Sequence, residues 1–263
     1  MVNVKMTAKM IVVTGIATNL IWCVGCAINS PKLATQKVLH PIRSLVEKEQ
    51  KKFDTKFNVA RLHERNGNLS EAVKLYSQLL ESKPQSVAVC NRLGVVCTRM
   101  SKHDDANKAF TKALELEPEN VELLTDFGYS LYMRGDLSRA EVQLRKALQG
   151  DPLNERATNN LGIVKGQQGE FEESLQLFGR VVTPAEAHSN LGFIHVQRGE
   201  GKLAERQFSL ALTLDKELES AALALVQLAE IKQHAETDRA TTIAKAKPVA
   251  QTSFAQDGIA SSE

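Results

Sequence analysis

A chain of 263 residues is long enough for one or two domains with a substantial buried core. Its 33 Lys and Arg against 31 Asp and Glu leave a formal charge of +2, too weak a bias for nucleic acid or an acidic membrane surface to be recognised mainly through net charge. Three Tyr, one Trp and nine Phe among abundant Ala, Leu, Glu, Gln and Lys favour an all-α fold over a β-sandwich.

At the N-terminus, Lys5 and Lys9 precede an uncharged run from Met10 to Ile28, the order of a basic n-region and an apolar h-region in a secretory signal. The run reaches about the 17-residue lower limit for a transmembrane helix, and Thr18 and Asn19 near its middle weigh against an uncleaved anchor. It ends in Cys23-Val24-Gly25-Cys26, which resembles the lipobox of bacterial lipoproteins. That resemblance implies removal of residues 1–25 and lipid attachment to Cys26, so that Cys23 and Cys26 never act as a pair. The departure is Cys23 itself, standing where the family usually has Leu. A plain signal peptide and an uncleaved anchor are the alternatives. Residues 26–52 carry Pro31 and Pro41 and are expected to be a tether, with a lead-in helix from about Ser44.

From Phe53 onward the sequence repeats with a period of 34, in units spanning 53–86, 87–120, 121–154, 155–184 and 185–218. A small residue recurs at the eighth position as Ala60, Gly94, Gly128, Gly162 and Gly192. Gly67, Gly135, Gly169 and Gly199 recur between the two halves of a unit, with Ser101 departing from the pattern. A further small residue, Ala72, Ala106, Ala140, Ser174 and Ala204, stands four positions before a large one, Tyr76, Phe110, Leu144, Phe178 and Phe208. Pro84, Pro118 and Pro152 close three units, where a proline cannot continue a helix.

These positions resemble the tetratricopeptide repeat, and the chain is identified as a member of that family. The resemblance implies an all-α, right-handed superhelical solenoid of five helix-turn-helix units. The fourth unit is four residues short, so its second helix is expected to run almost directly into the helix near Ala185. A last segment, 219–233, sets Ala222, Leu225, Val226 and Ala229 at helical spacing and reads as a capping helix. Residues 234–263 lack a sustained apolar face and are expected to be disordered.

Little in the chain carries catalytic chemistry. Cys90 and Cys97 are seven residues apart on one helix, about 10.5 Å of rise, too far for a disulfide, and read as buried hydrophobes. His188 and His195 share a helix face without a completing thiol or carboxylate motif. They are the only handle for an enzyme reading, and no phosphate loop, nucleophile elbow or zinc-protease motif accompanies them. The expectation is therefore a protein that is not an enzyme and needs no cofactor or metal.

In the family, the first helix of each unit lines a concave groove. The resemblance places Tyr129, Tyr132 and Met133 there in the third unit, Asn159, Asn160, Ile163 and Gln167 in the fourth, and Asn190, Phe193 and Gln197 in the fifth. Asn and Gln can both donate to and accept from a peptide backbone, and Tyr and Phe offer apolar area with few rotatable bonds. The groove thus suits protein or peptide partners and not nucleic acid. The carboxylate clamp of chaperone adaptors does not carry over, because its places hold Phe57, Arg61, Glu122 and Asp126.

The layout resembles the pilus-assembly lipoproteins of Flp (Tad-type) and type IV pilus systems. It implies a scaffold in the bacterial cell envelope, lipid-anchored at a membrane (the outer one, facing the periplasm), with envelope assembly components as partners. An adaptor regulating a cell-wall enzyme is the rival from another class.

Overall fold

The computed structural model describes residues 32–246, so the expected signal segment with Cys26, and residues 247–263, lie outside the described residues. The described residues form eleven α-helices and no strand: α1 Lys32–Arg65, α2 Leu69–Ser82, α3 Val87–Arg99, α4 His103–Leu116, α5 Val121–Arg134, α6 Leu137–Gly150, α7 Glu155–Gln168, α8 Phe171–Phe178, α9 Pro184–Gln197, α10 Gly201–Leu214 and α11 Glu219–Ala246. The chain divides inside α1, between Thr55 and Lys56.

N-terminal to that division, α1 is solvent-facing from Arg43 to Lys52 and is supported by i,i+4 pairs such as Arg43 with Glu47 at 2.9 Å. The expected tether is thus corrected, because the helix begins at Lys32 rather than near Ser44 and carries Pro41 within it. The proline removes one backbone donor, but Leu33, Ala34, Gln36, Lys37 and Leu39 before it are competent helix formers.

C-terminal to it, helices alternate in pairs, each packing on its neighbours along the chain. The reason is written in two positions per unit. Tyr76, Phe110, Leu144, Phe178 and Phe208 of the second helices are fully buried, and each ring or branched side chain contributes roughly 1.5–3 kcal/mol by leaving water. They reach the partner helix only because its eighth residue is small. A Cβ added at Gly94 would stand 2.8 Å from the Phe110 ring, and one at Gly192 2.6 Å from that of Phe208.

Turns are set as locally. Gly135 and Gly169 end their helices with φ of 86° and 89°, the left-handed region glycine enters freely. Ser101 takes the same turn at φ 57° without being glycine. Asn120, Asp136 and Asn154 cap the following helices by accepting from the backbone amides of Leu123, Arg139 and Ala157.

The fourth unit is shortened within its second helix. α8 has 8 residues where α6 and α10 have 14. The chain then turns through residues 179–183 before α9, so the almost direct run expected from the spacing is a link of that length. Thr183 and Glu186 form a reciprocal capping box with Pro184 at the first helical position, which fixes the start of α9.

Two expectations at the C-terminus are corrected. α11 runs on to Ala246 instead of ending near Gln233, since residues 234–246 are rich in Ala with Glu and Lys and need no apolar face to be helical. Its docked side is Ala221 and Ala224 with Leu225 and Leu228, against Ala204, Phe208 and Ala211 of α10. Ala222, Val226 and Ala229 are exposed. Among the described residues no helix is long and apolar enough to cross a membrane.

Candidate functional site: the groove of the first helices

The uncharged residues named from the sequence fall on α5, α7 and α9. Tyr129, Met133 and Phe193 remain 42, 49 and 41% exposed, so each keeps apolar area open to solvent. The Tyr129 and Tyr132 rings meet at 5.9 Å, and Phe193 lies edge-on to the buried Phe208 at 5.0 Å. Both ring pairs are anchored in the wall and offer a second side outward.

The three helices are tied to one another by amides. The Tyr132 hydroxyl donates to the Gln197 side-chain oxygen at 3.4 Å, and the Gln167 side-chain amide donates to that same oxygen. Burial, and after it the neighbouring Tyr129, push the Tyr132 phenol up, which keeps it a neutral donor. Asn159, Asn160 and Asn190 are half-buried and have no intramolecular side-chain hydrogen bond among the described residues. Ile163 is withdrawn into the packing around Phe178 and Leu191. Val196, 40% exposed, stands at the twelfth position of its unit as Tyr132 does, and that register was the signal for it.

Towards the N-terminal units the character changes. Phe57, Arg61, Asn91, Arg92 and Glu122 line a cleft of about 310 Å³. The carboxylate of Glu64, buried on α1, accepts from the Tyr76 hydroxyl at 2.9 Å and forms an ion pair with Arg92. Asp126, at one of the places that the carboxylate clamp would need, is engaged by Arg156 at 3.0 Å and by the Asn91 amide at 3.0 Å. Burial raises its carboxyl, and Arg156 opposes the shift.

The two histidines named from the sequence make separate contacts. His188 Nδ1 lies 2.8 Å from the Gln207 side-chain oxygen, and His195 Nδ1 lies 2.7 Å from Glu200 while its ring packs on Phe171. Each histidine is thus committed to a different neighbour. Cys90 and Cys97 are buried free thiols, and burial raises both. Among the described residues no group of three His, Cys, Asp or Glu is placed to hold a metal ion.

Sequence reasoning missed one cluster. Lys165, 4% exposed, reaches Glu170 at 2.6 Å, Glu141 at 3.1 Å and Glu173 at 3.2 Å, and Arg145 bonds Glu141 and Glu173 at 2.8 Å each. A lysine at the position held by Cys97 and Leu131 in earlier units was the available signal. The cluster ties α6, α7 and α8 together.

Tetratricopeptide-repeat families match residues 53–86, 98–157 and 156–183. This is a tetratricopeptide-repeat protein. Its solenoid is similar to that of PilW, a type IV pilus biogenesis factor (TM-score 0.56, 19% identity, 76% of this chain and 95% of that one). It is also similar to PilF of Pseudomonas aeruginosa (0.53, 20%, 76% and 94%). A third similar structure is YrrB, a TPR protein with an unusual peptide-binding site (0.51, 21%, 69% and 96%). No curated protein sequence matches the chain. Tetratricopeptide-repeat proteins bind protein or peptide partners, and the exposed rings and free amides on α5, α7 and α9 are side chains of the kind such binding uses.

Proposed function

We propose that the chain is a membrane-anchored scaffold that holds a protein segment in the groove of α5, α7 and α9 and serves the assembly of an envelope machine such as a pilus or secretion pore. One observation carries the binding part: three large apolar side chains stay open to solvent on the same helices as half-buried asparagines whose side chains have no hydrogen bond among the described residues. Open rings bury area when a segment arrives, and free amides meet its backbone. Support for the envelope part comes from the lipobox-like Cys23–Cys26 stretch and from the fold likeness to PilW. On this reading Cys26 carries lipid, and the solenoid faces the outside of the cytoplasm.

The test is affinity capture after crosslinking in cells, comparing the native chain with a Tyr129→Ala, Tyr132→Ala, Asn160→Ala variant whose helicity is unchanged. Pilus or secretion-pore components lost in the variant support the proposal. Capture of cell-wall synthases or hydrolases instead moves the adaptor reading ahead, and capture indifferent to the substitutions removes the groove from the account. Intact mass of the mature protein decides the anchor, since lipidated Cys26, a plain cleaved terminus and an uncleaved chain differ in mass.

A further inference from the structure

The cleft at the N-terminal end of the solenoid has one wall from α1, with Phe57 and Arg61, and another from α3, the link between α4 and α5, and the first turn of α5, with Asn91, Glu117 and Glu122. At about 310 Å³ it has room for one long side chain. Asn91 is only 7% exposed, and the two polar atoms of its side chain are in different situations. Nδ2 donates to Asp126 at 3.0 Å, whereas Oδ1 is buried and meets no donor among the described residues. Turning the amide over would not relieve this, because Oδ1 would then face an Asp126 carboxylate oxygen, acceptor against acceptor. Buried polar atoms are rarely left without a partner, so an acceptor in this position calls for a donor from outside the chain.

The charges on the walls select the kind of donor. Arg92, which also lines the cleft, is spent on Glu64, whose carboxylate accepts from its Nε at 3.1 Å and from Nη2. Glu117 and Glu122 are exposed and have no ion pair among the described residues; Glu117 accepts from the Asn120 amide at 2.6 Å. Arg61, exposed on the opposite wall, offsets one of these two carboxylates. A basic side chain answers both demands at once. Its N–H groups supply charge-assisted bonds to Asn91 Oδ1 and to a carboxylate, and its aliphatic stem lies along the Phe57 ring. Arg61 is then left to donate to backbone carbonyls of the segment that carries it.

We infer that this cleft takes a lysine or arginine side chain of the protein segment held in the groove. The inference rests on the reading of α5, α7 and α9 as a protein-binding surface, which the cleft adjoins through α5. The test passes the purified full chain over pools of short peptides, random except for one central residue fixed as Lys, Arg, norleucine or Glu. The native chain is retained about tenfold more strongly by the Lys and Arg pools than by the norleucine pool, a factor that a single bond to a charged group supplies. A Glu117→Gln, Glu122→Gln variant, isosteric at two exposed positions and with helicity unchanged, falls to the norleucine level on the basic pools, while Tyr129→Ala weakens retention on every pool alike. Equal retention on the basic and norleucine pools that still weakens with Tyr129→Ala would overturn the inference and leave the groove reading standing. A preference for the Glu pool, or a basic preference that survives the double substitution, would overturn it as well, and no retention on any pool would overturn it together with the groove reading.

Discussion

The Tyr132 hydroxyl of the third unit meets the Gln197 side chain of the fifth at 3.4 Å, passing over the unit between them. The intervening unit is the one whose second helix is cut to 8 residues. Gln167 of that unit donates to the same Gln197 oxygen, so three units share one acceptor on the groove side. Gln197→Ala should cost little stability, under about 1 kcal/mol, because the groups are exposed and water replaces the lost bonds. Partner capture should nevertheless fall. Thermal melts and crosslinked capture on the same preparation separate the two effects.

The eighth-position glycine is a steric requirement. Gly192→Ala places a Cβ 2.6 Å from a carbon of the fully buried Phe208 ring, which is also packed edge-on to Phe193. Overpacking of this kind costs about 1–3 kcal/mol, expected as a lower urea midpoint with little change in slope. An unchanged midpoint would mean that α9 and α10 are less tightly apposed than described.

Ser101 is the reverse case. It occupies the turn that glycine fills in the other units, at φ 57°, a conformation costing an L-residue about 1–2 kcal/mol. Ser101→Gly should therefore stabilise the solenoid, partly offset by the greater freedom glycine gives the unfolded chain. Chemical denaturation reads the sign directly.

The Lys165 cluster predicts a pH dependence. For Glu141 burial pushes the carboxyl up, but hydrogen bonds from Gln168, Arg145 and Lys165 outweigh it and hold the group at about 2. Glu173 is also lowered, burial again opposing the bonds from Arg145 and Lys165. Both folded values lie below the unfolded one of about 4.3. Their stabilisation is thus complete above that pH and is lost as pH falls through the folded values, near 2 for Glu141. Lys165→Met should cost about 1–3 kcal/mol at neutral pH, less than a fully buried pair because the carboxylates keep some water. The gap from the native protein should narrow on acidification, measured as denaturation midpoints across that window.

Much of this architecture was legible because the repeat states each contact several times over. Gly94, Gly128, Gly162 and Gly192 recur at one position, and each meets the large residue that recurs at another. Where the chain speaks once, reading failed. The carboxylates around Lys165 come from α6, from α8 and from the turn before it, and nothing local in the sequence pairs them. α11 offers two apolar faces one residue apart, Ala221, Ala224, Leu225 and Leu228 against Ala222, Val226 and Ala229, so periodicity alone could not say which docks. The groove positions came from family likeness, whereas the sharing of Gln197 by Tyr132 and Gln167 depends on how the short fourth unit brings helices together.

The central claim, that the open rings of α5 and α9 hold a protein segment, is tested most directly by a photo-crosslinking residue placed in cells at Phe193. A second placement at Val142, somewhat more exposed and on the second helix of the third unit, serves as the comparison. A discrete protein adduct is expected from Phe193, weakened by Tyr129→Ala, and none of the same mass from Val142. The same adduct from both sites, or from Val142 alone, would contradict it.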